Sequence, residues 1–123
     1  MKAAHLFRGE RAETCARNWL EAQGLCFLQA NFRCRFGELD LLMLDADCLV
    51  VIEVRYRRSA THGGALGSVT RAKCERIIRA AQCFLQRHSR FRDNPLRFDV
   101  LAISGHGREA RFDWRKQAFT LDG

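Results

Sequence analysis

The stretch Gly37-Glu38-Leu39-Asp40-Leu41-Leu42-Met43-Leu44, continued by Leu49-Val50-Val51-Ile52-Glu53-Val54-Arg55, decides the fold. It holds two apolar runs of strand length, joined by Asp45-Ala46-Asp47-Cys48, a short connection of hairpin type. The second run is rich in β-branched residues and almost continuously apolar, which predicts a central strand covered on both faces. Each run nevertheless carries an acid, Asp40 in the first and Glu53 in the second. If Leu44 opposes Leu49, then Leu42 opposes Val51 and Asp40 lies near Glu53, because directly opposed residues share a sheet face. Side chains alternate with period two, so Glu38 shares the face of Asp40 and Arg55 that of Glu53. A slip of one residue would separate the two acids.

Working outward, Ala12, Cys15, Ala16, Trp19 and Leu20 follow helical spacing and predict an amphipathic helix from about Arg8 to Gln23, closed by Gly24. Residues 1–8 read as a loose lead-in, and Glu13 sits beside the apolar stripe. Leu25 to Arg33 reads as a first strand and Arg33-Cys34-Arg35-Phe36-Gly37 as a basic turn. The two central runs follow as strands Leu39–Leu44 and Leu49–Tyr56. After a glycine-rich loop holding Gly63, Gly64 and Gly67, Ser68 is the expected cap of a second helix running to about His88. Asn94-Pro95 breaks the chain before a strand from Leu96 to Ser104. A turn at Gly105-His106-Gly107 precedes a short edge strand from Glu109 to Trp114. Helix, three strands, helix and returning strands predict one α/β domain over residues 1–123, a mixed central sheet with helices on both faces.

Composition narrows the function classes. The chain has 123 residues and a formal net charge of +7, an excess that favours polyanions such as nucleic acid. No apolar run reaches the ~18 residues a membrane helix needs, and Met1-Lys2-Ala3-Ala4-His5 lacks the apolar core of a signal peptide. The expected location is therefore cytoplasmic, with no membrane partner. Cys15, Cys26, Cys34, Cys48, Cys74 and Cys83 form no CxxC or CxH pair, and read as free thiols packed as small hydrophobes. His5, His62, His88 and His106 lack the spacing of metal ligands, and Trp19, Trp114 and Phe119 read as packing residues.

Two neighbouring carboxylates repel unless a proton or a cation joins them. Mg²⁺ or Mn²⁺ suits such an oxygen set and activates water against a phosphodiester, and a cation at Arg55 would stabilise the charge that develops. Arg57 and Arg58, leaving the third strand, and Arg71, Lys73 and Arg76, opening the second helix, supply a phosphate-tracking surface. Asp99 reads as structural, tied to Arg97.

The ordered set Glu13, Ala16, Asn31, Gly37–Leu42, Val51–Arg57, Gly63-Gly64, Val69, Lys73, Arg97–Val100, Trp114 and Ala118-Phe119 resembles the YraN-like protein family. That family in turn resembles restriction endonuclease-like and Holliday-junction-resolvase-like nucleases. The resemblance implies a restriction endonuclease-like core of PD-(D/E)xK type, with Asp40 and Glu53 as catalytic metal-binding acids. It also implies that Glu13 helps to form the metal site, and that Arg55 stands where the motif has lysine. It further implies a Mg²⁺- or Mn²⁺-dependent DNA endonuclease, acting on branched DNA by analogy, and a homodimer. Arginine stays protonated and cannot act as a general base. Two readings therefore compete with the nuclease. One is a non-catalytic nucleic-acid-binding module with a degraded site. The other is a protein-interaction module whose acids pair with Arg55, Arg57 or Arg35.

Overall fold

The computed structural model describes residues 2–57, 69–105 and 107–121, with side chains from Ala12 onward. Arg58, His62, the glycines of the 58–68 loop, Ser68 and His106 lie outside the described residues, as does the side chain of His5. The order is α1 (Lys2–Ala22), β1 (Cys26–Cys34), β2 (Gly37–Asp45), β3 (Cys48–Arg57), α2 (Arg71–Arg87), β4 (Leu96–Ser104) and β5 (Arg111–Phe119), with single 3-10 turns at Ser89–Phe91 and Gly107–Glu109. The strands lie in the order β1-β2-β3-β4-β5. Neighbours are antiparallel except β3 and β4, which run parallel. A parallel pair needs a crossover, and α2 supplies it.

Each helix buries one stripe on one face of the sheet. Ala16 and Leu20 of α1 pack with Leu41, Met43, Val50, Ile52, Leu101 and Ile103. Ile77, Ala80, Ala81 and Phe84 of α2 pack with Leu39, Leu42, Val51, Phe98 and Val100. Strand β3 thus sends Val50 and Ile52 one way and Val51 the other, which accounts for its unbroken apolar character. Among the described residues, no helix is long and apolar enough to cross a membrane.

Several boundaries differ from the sequence reading. The register is the expected one, with Leu44 opposite Leu49 and Leu42 opposite Val51, but Asp45 also pairs with Cys48. The turn is therefore Ala46-Asp47 alone, with Ala46 left-handed at φ 54°. Helix α2 starts later than expected, capped by Thr70, whose Oγ1 accepts the Lys73 N–H at 3.2 Å. Helix α1 begins at Lys2, so the expected lead-in is helical. Strand β5 runs to Phe119, beyond the expected Trp114, because Phe119 stacks on Phe98 with ring centroids 5.0 Å apart. The six cysteines are free, but none is fully buried and Cys26 is exposed. They line the margins of the core rather than fill it.

Asp99 is a fully buried charge and it is fully engaged. It accepts from Arg97 Nε at 2.9 Å, Arg97 Nη2 at 3.0 Å, Trp114 Nε1 at 2.9 Å and the Gln117 N–H at 2.9 Å. Arg97 also reaches Asp45 at 3.0 Å. Gln117 lies beside an irregularity in the β4–β5 ladder and has φ 51°. Asp99 therefore supplies the acceptor that this bulge removes, the structural role that its link to Arg97 suggested.

Candidate metal and phosphate site

The site forms where regular pairing of β2 with β3 stops. The ladder runs from Asp45↔Cys48 to Leu41↔Ile52. Beyond it, Asp40 Oδ2 accepts the Val54 N–H at 2.8 Å, so a side-chain oxygen takes the place of a ladder carbonyl. Alternation also breaks here. Leu39 and Leu42 both join the α2-side core while Leu41 and Met43 join the α1-side core. On β1, Asn31 lies between the residues paired with Leu39 and Leu41, and its backbone is left-handed at φ 56°. The break in alternation leaves the Asp40 carboxylate within reach of acids on both faces, Glu13 of α1 and Glu53 of β3.

Three carboxylates meet there. Glu13 of α1 and Glu38 and Asp40 of β2 each offer an oxygen within 4.8 Å of the others. Glu38, exposed at the rim, also meets Arg33 of β1 at 3.5 Å. The Asp40 carboxyl is pushed up from 3.8 to about 7. Burial is the main cause, Glu53 the next, and Glu13 adds to it; the Val54 N–H pulls the other way. An all-oxygen, all-carboxylate set fits a hard divalent cation such as Mg²⁺ or Mn²⁺.

Glu53 stands on the other side of Asp40 and is only 4% exposed. Its Oε1 meets two cations, Lys73 Nζ at 3.0 Å and Arg55 Nη2 at 3.4 Å. Lys73 belongs to the first turn of α2, where the Thr70 cap fixes the helix start. Arg55 shares the face of Glu53, as the period of the strand requires, and among the described residues its buried Nε has no hydrogen-bond partner. The arrangement is one compact carboxylate trio, one buried carboxylate beside it, and two cations on that last acid.

A family model described as uncharacterised protein family UPF0102 matches residues 12–103. The chain belongs to this family. The matched span runs from α1 through β4 and includes Glu13, Glu38, Asp40, Glu53, Arg55 and Lys73. A UPF0102 protein of Pseudomonas fluorescens is 50% identical over 112 residues, 90% of this chain and 91% of that one. One from Ectopseudomonas mendocina is 49% identical, covering 95% and 98% of the two chains. One from Nitrosococcus oceani is 44% identical over 98% and 97%. The family implied by the quoted motifs is thus the right one.

In this UPF0102 chain the expected site residues divide into two groups. Asp40, Glu53, Arg55 and Glu13 do converge. Lys73, read from sequence as one of several phosphate-tracking cations, lies instead against the buried Glu53. Arg57, Arg71 and Arg76 are exposed. Glu38 is the acid that sequence reasoning left without a role. Its period-two relation to Asp40 was the available signal, but a strand alone does not show that α1 brings a third carboxylate to the same point.

Proposed function

We propose that the chain is a metal-dependent endonuclease acting on DNA, built on a restriction endonuclease-like core. The observation that carries this reading is the meeting of Glu13, Glu38 and Asp40 within 4.8 Å, directly beside a buried Glu53 held by Lys73 and Arg55. A helix, an antiparallel meander, a crossover helix and a parallel return, with acids on β2 and β3 where the pairing of those strands stops, support the fold assignment. Asp40, Glu13 and Glu38 would hold Mg²⁺ or Mn²⁺. The bound ion would supply an activated water and screen charge on the phosphate.

The remaining roles follow from the chain's own groups. Arg55 is always charged, so it binds and orients the scissile phosphate and its free Nε is a donor for a phosphate oxygen. Among the described residues, Lys73 is the one cation on Glu53 that can release a proton, so it takes the place that the motif lysine leaves empty at Arg55. Glu53 holds Lys73 through one oxygen and lies beside Asp40, which links the proton-carrying group to the carboxylate trio. Arg57, Arg71 and Arg76 extend the positive surface for the flanking phosphates.

The test has two parts. Mn²⁺ titration calorimetry should show binding by the wild type that Asp40→Asn removes. Cleavage of branched, flapped and single-stranded DNA should require Mn²⁺ or Mg²⁺. Equal, negligible metal binding by both proteins would sink the proposal. One observation favours a second reading, a non-catalytic nucleic-acid-binding module: Glu53 already has two cationic partners. Metal binding without cleavage of any substrate would select it.

A further inference from the structure

The β1–β2 turn lies against α2 on the side of the molecule away from β5. A Cβ placed on Gly37 would come 3.9 Å from the Cβ of Arg76, so the turn and the helix abut at this point. Next to it Phe36, half-buried, has two guanidiniums over its ring, Arg35 at 4.7 Å and Arg79 at 5.9 Å from the centroid. Lys73, Arg76 and Arg79 follow one another at i, i+3 and i+6 and form a single ridge. The ridge rises about 9 Å along the helix axis. It starts at the Glu53 carboxylate and ends at the Phe36 ring. Arg35, Arg76 and Arg79 are exposed, and among the described residues none pairs with a carboxylate. Beyond Lys73, which Glu53 neutralises, Arg76 and Arg79 on the helix and Arg35 at the ring are unneutralised, and cations beside an aromatic ring are the elements that hold single-stranded nucleic acid through its phosphates and a stacked base.

We propose that this face is a track for an unpaired nucleic-acid strand leading away from the acidic site. Arg76 and Arg79 hold backbone phosphates, and Phe36 stacks a base. The contact of Arg79 with the ring is the looser of the two, so an incoming base displaces it and the guanidinium turns to the phosphate. A duplex gains nothing from Phe36, because its base faces already stack on one another. The track therefore favours substrates with a single-stranded arm. The proposal rests on the nucleic-acid reading above and does not depend on the metal.

The experiment is fluorescence anisotropy of a labelled oligothymidine and of a blunt duplex of equal length. It is carried out in EDTA at several salt concentrations. Phe36→Leu should weaken single-strand binding roughly 5-fold or more and leave duplex binding unchanged, while Phe36→Tyr retains both. Arg79→Gln, on an exposed helix face, should weaken both and flatten the single-strand salt dependence by about 0.7 in log–log slope. Thermal melting checks that each variant is folded. Unchanged single-strand affinity in both Phe36→Leu and Arg79→Gln overturns the track, as does wild-type protein that ignores the oligothymidine. Neither result bears on the acidic site, which the Mn²⁺ titration tests separately.

Discussion

Replacing Asp40 by asparagine should stabilise the protein at alkaline pH, although it removes a charged residue from the heart of the site. The asparagine Oδ1 can still accept the Val54 N–H, which Asp40 holds at 2.8 Å. What disappears is the charge that burial, Glu53 and Glu13 oppose. The Asp40 carboxyl titrates near 7 in the fold against 3.8 ordinarily, so the folded chain holds a proton that the unfolded chain has lost. Stability is therefore highest below pH 3.8 as far as this group is concerned, and drains away as pH rises to about 7. At about 1.4 kcal/mol per pH unit the whole window is worth at most about 4 kcal/mol. Urea denaturation in EDTA should thus show Asp40→Asn more stable than wild type by up to about 4 kcal/mol at pH 8. The midpoint then rises by roughly 1 M or more. The advantage should fall by about half or more at pH 5. Saturating Mn²⁺ should close the gap from the other side, by about 2.7 kcal/mol at a hundred times Kd, stabilising the wild type and not the variant. A variant no more stable than wild type at pH 8, or one whose advantage ignores pH, would refute this account of Asp40.

Three further outcomes follow from the same geometry. Lys73→Met should lower metal-dependent cleavage about 100-fold or more in single-turnover assays, whereas Arg55→Lys should change it less than about tenfold; similar losses in both would remove Lys73 from its assigned role. Asp99→Ala strands Arg97, the Trp114 indole and the Gln117 amide, and should cost about 3–5 kcal/mol in chemical denaturation; a loss below about 1 kcal/mol would show that the network is dispensable. Thr70→Ala removes the cap that fixes the start of α2 and should cost about 1 kcal/mol, measured as a lower urea midpoint with native far-UV dichroism.

The sequence by itself determined the strands, the register of β2 on β3 and the nearness of the two central acids, though regular pairing stops one residue short of them. Those features are local: apolar runs of strand length, a short connection and a period of two leave one register that buries the hydrophobic residues of β2 and β3. It also determined the two faces to be covered, because Val50, Val51 and Ile52 leave β3 no exposed side. The ends of elements were less visible, since caps and turns compete within a residue or two, as Thr70 against Ser68 and the Ala46-Asp47 turn illustrate. Strand period also places Arg55 beside Glu53, whereas only the tertiary structure decided where Glu13 and Lys73 meet these acids. Glu13 reaches the trio because α1 packs Ala16 and Leu20 on one face of the sheet. Lys73 reaches Glu53 because α2 packs Ile77 and Phe84 on the other. Neither contact has a periodic trace in the sequence. Each depends on where a helix crosses the sheet, and that crossing is set by side-chain packing over long sequence separations.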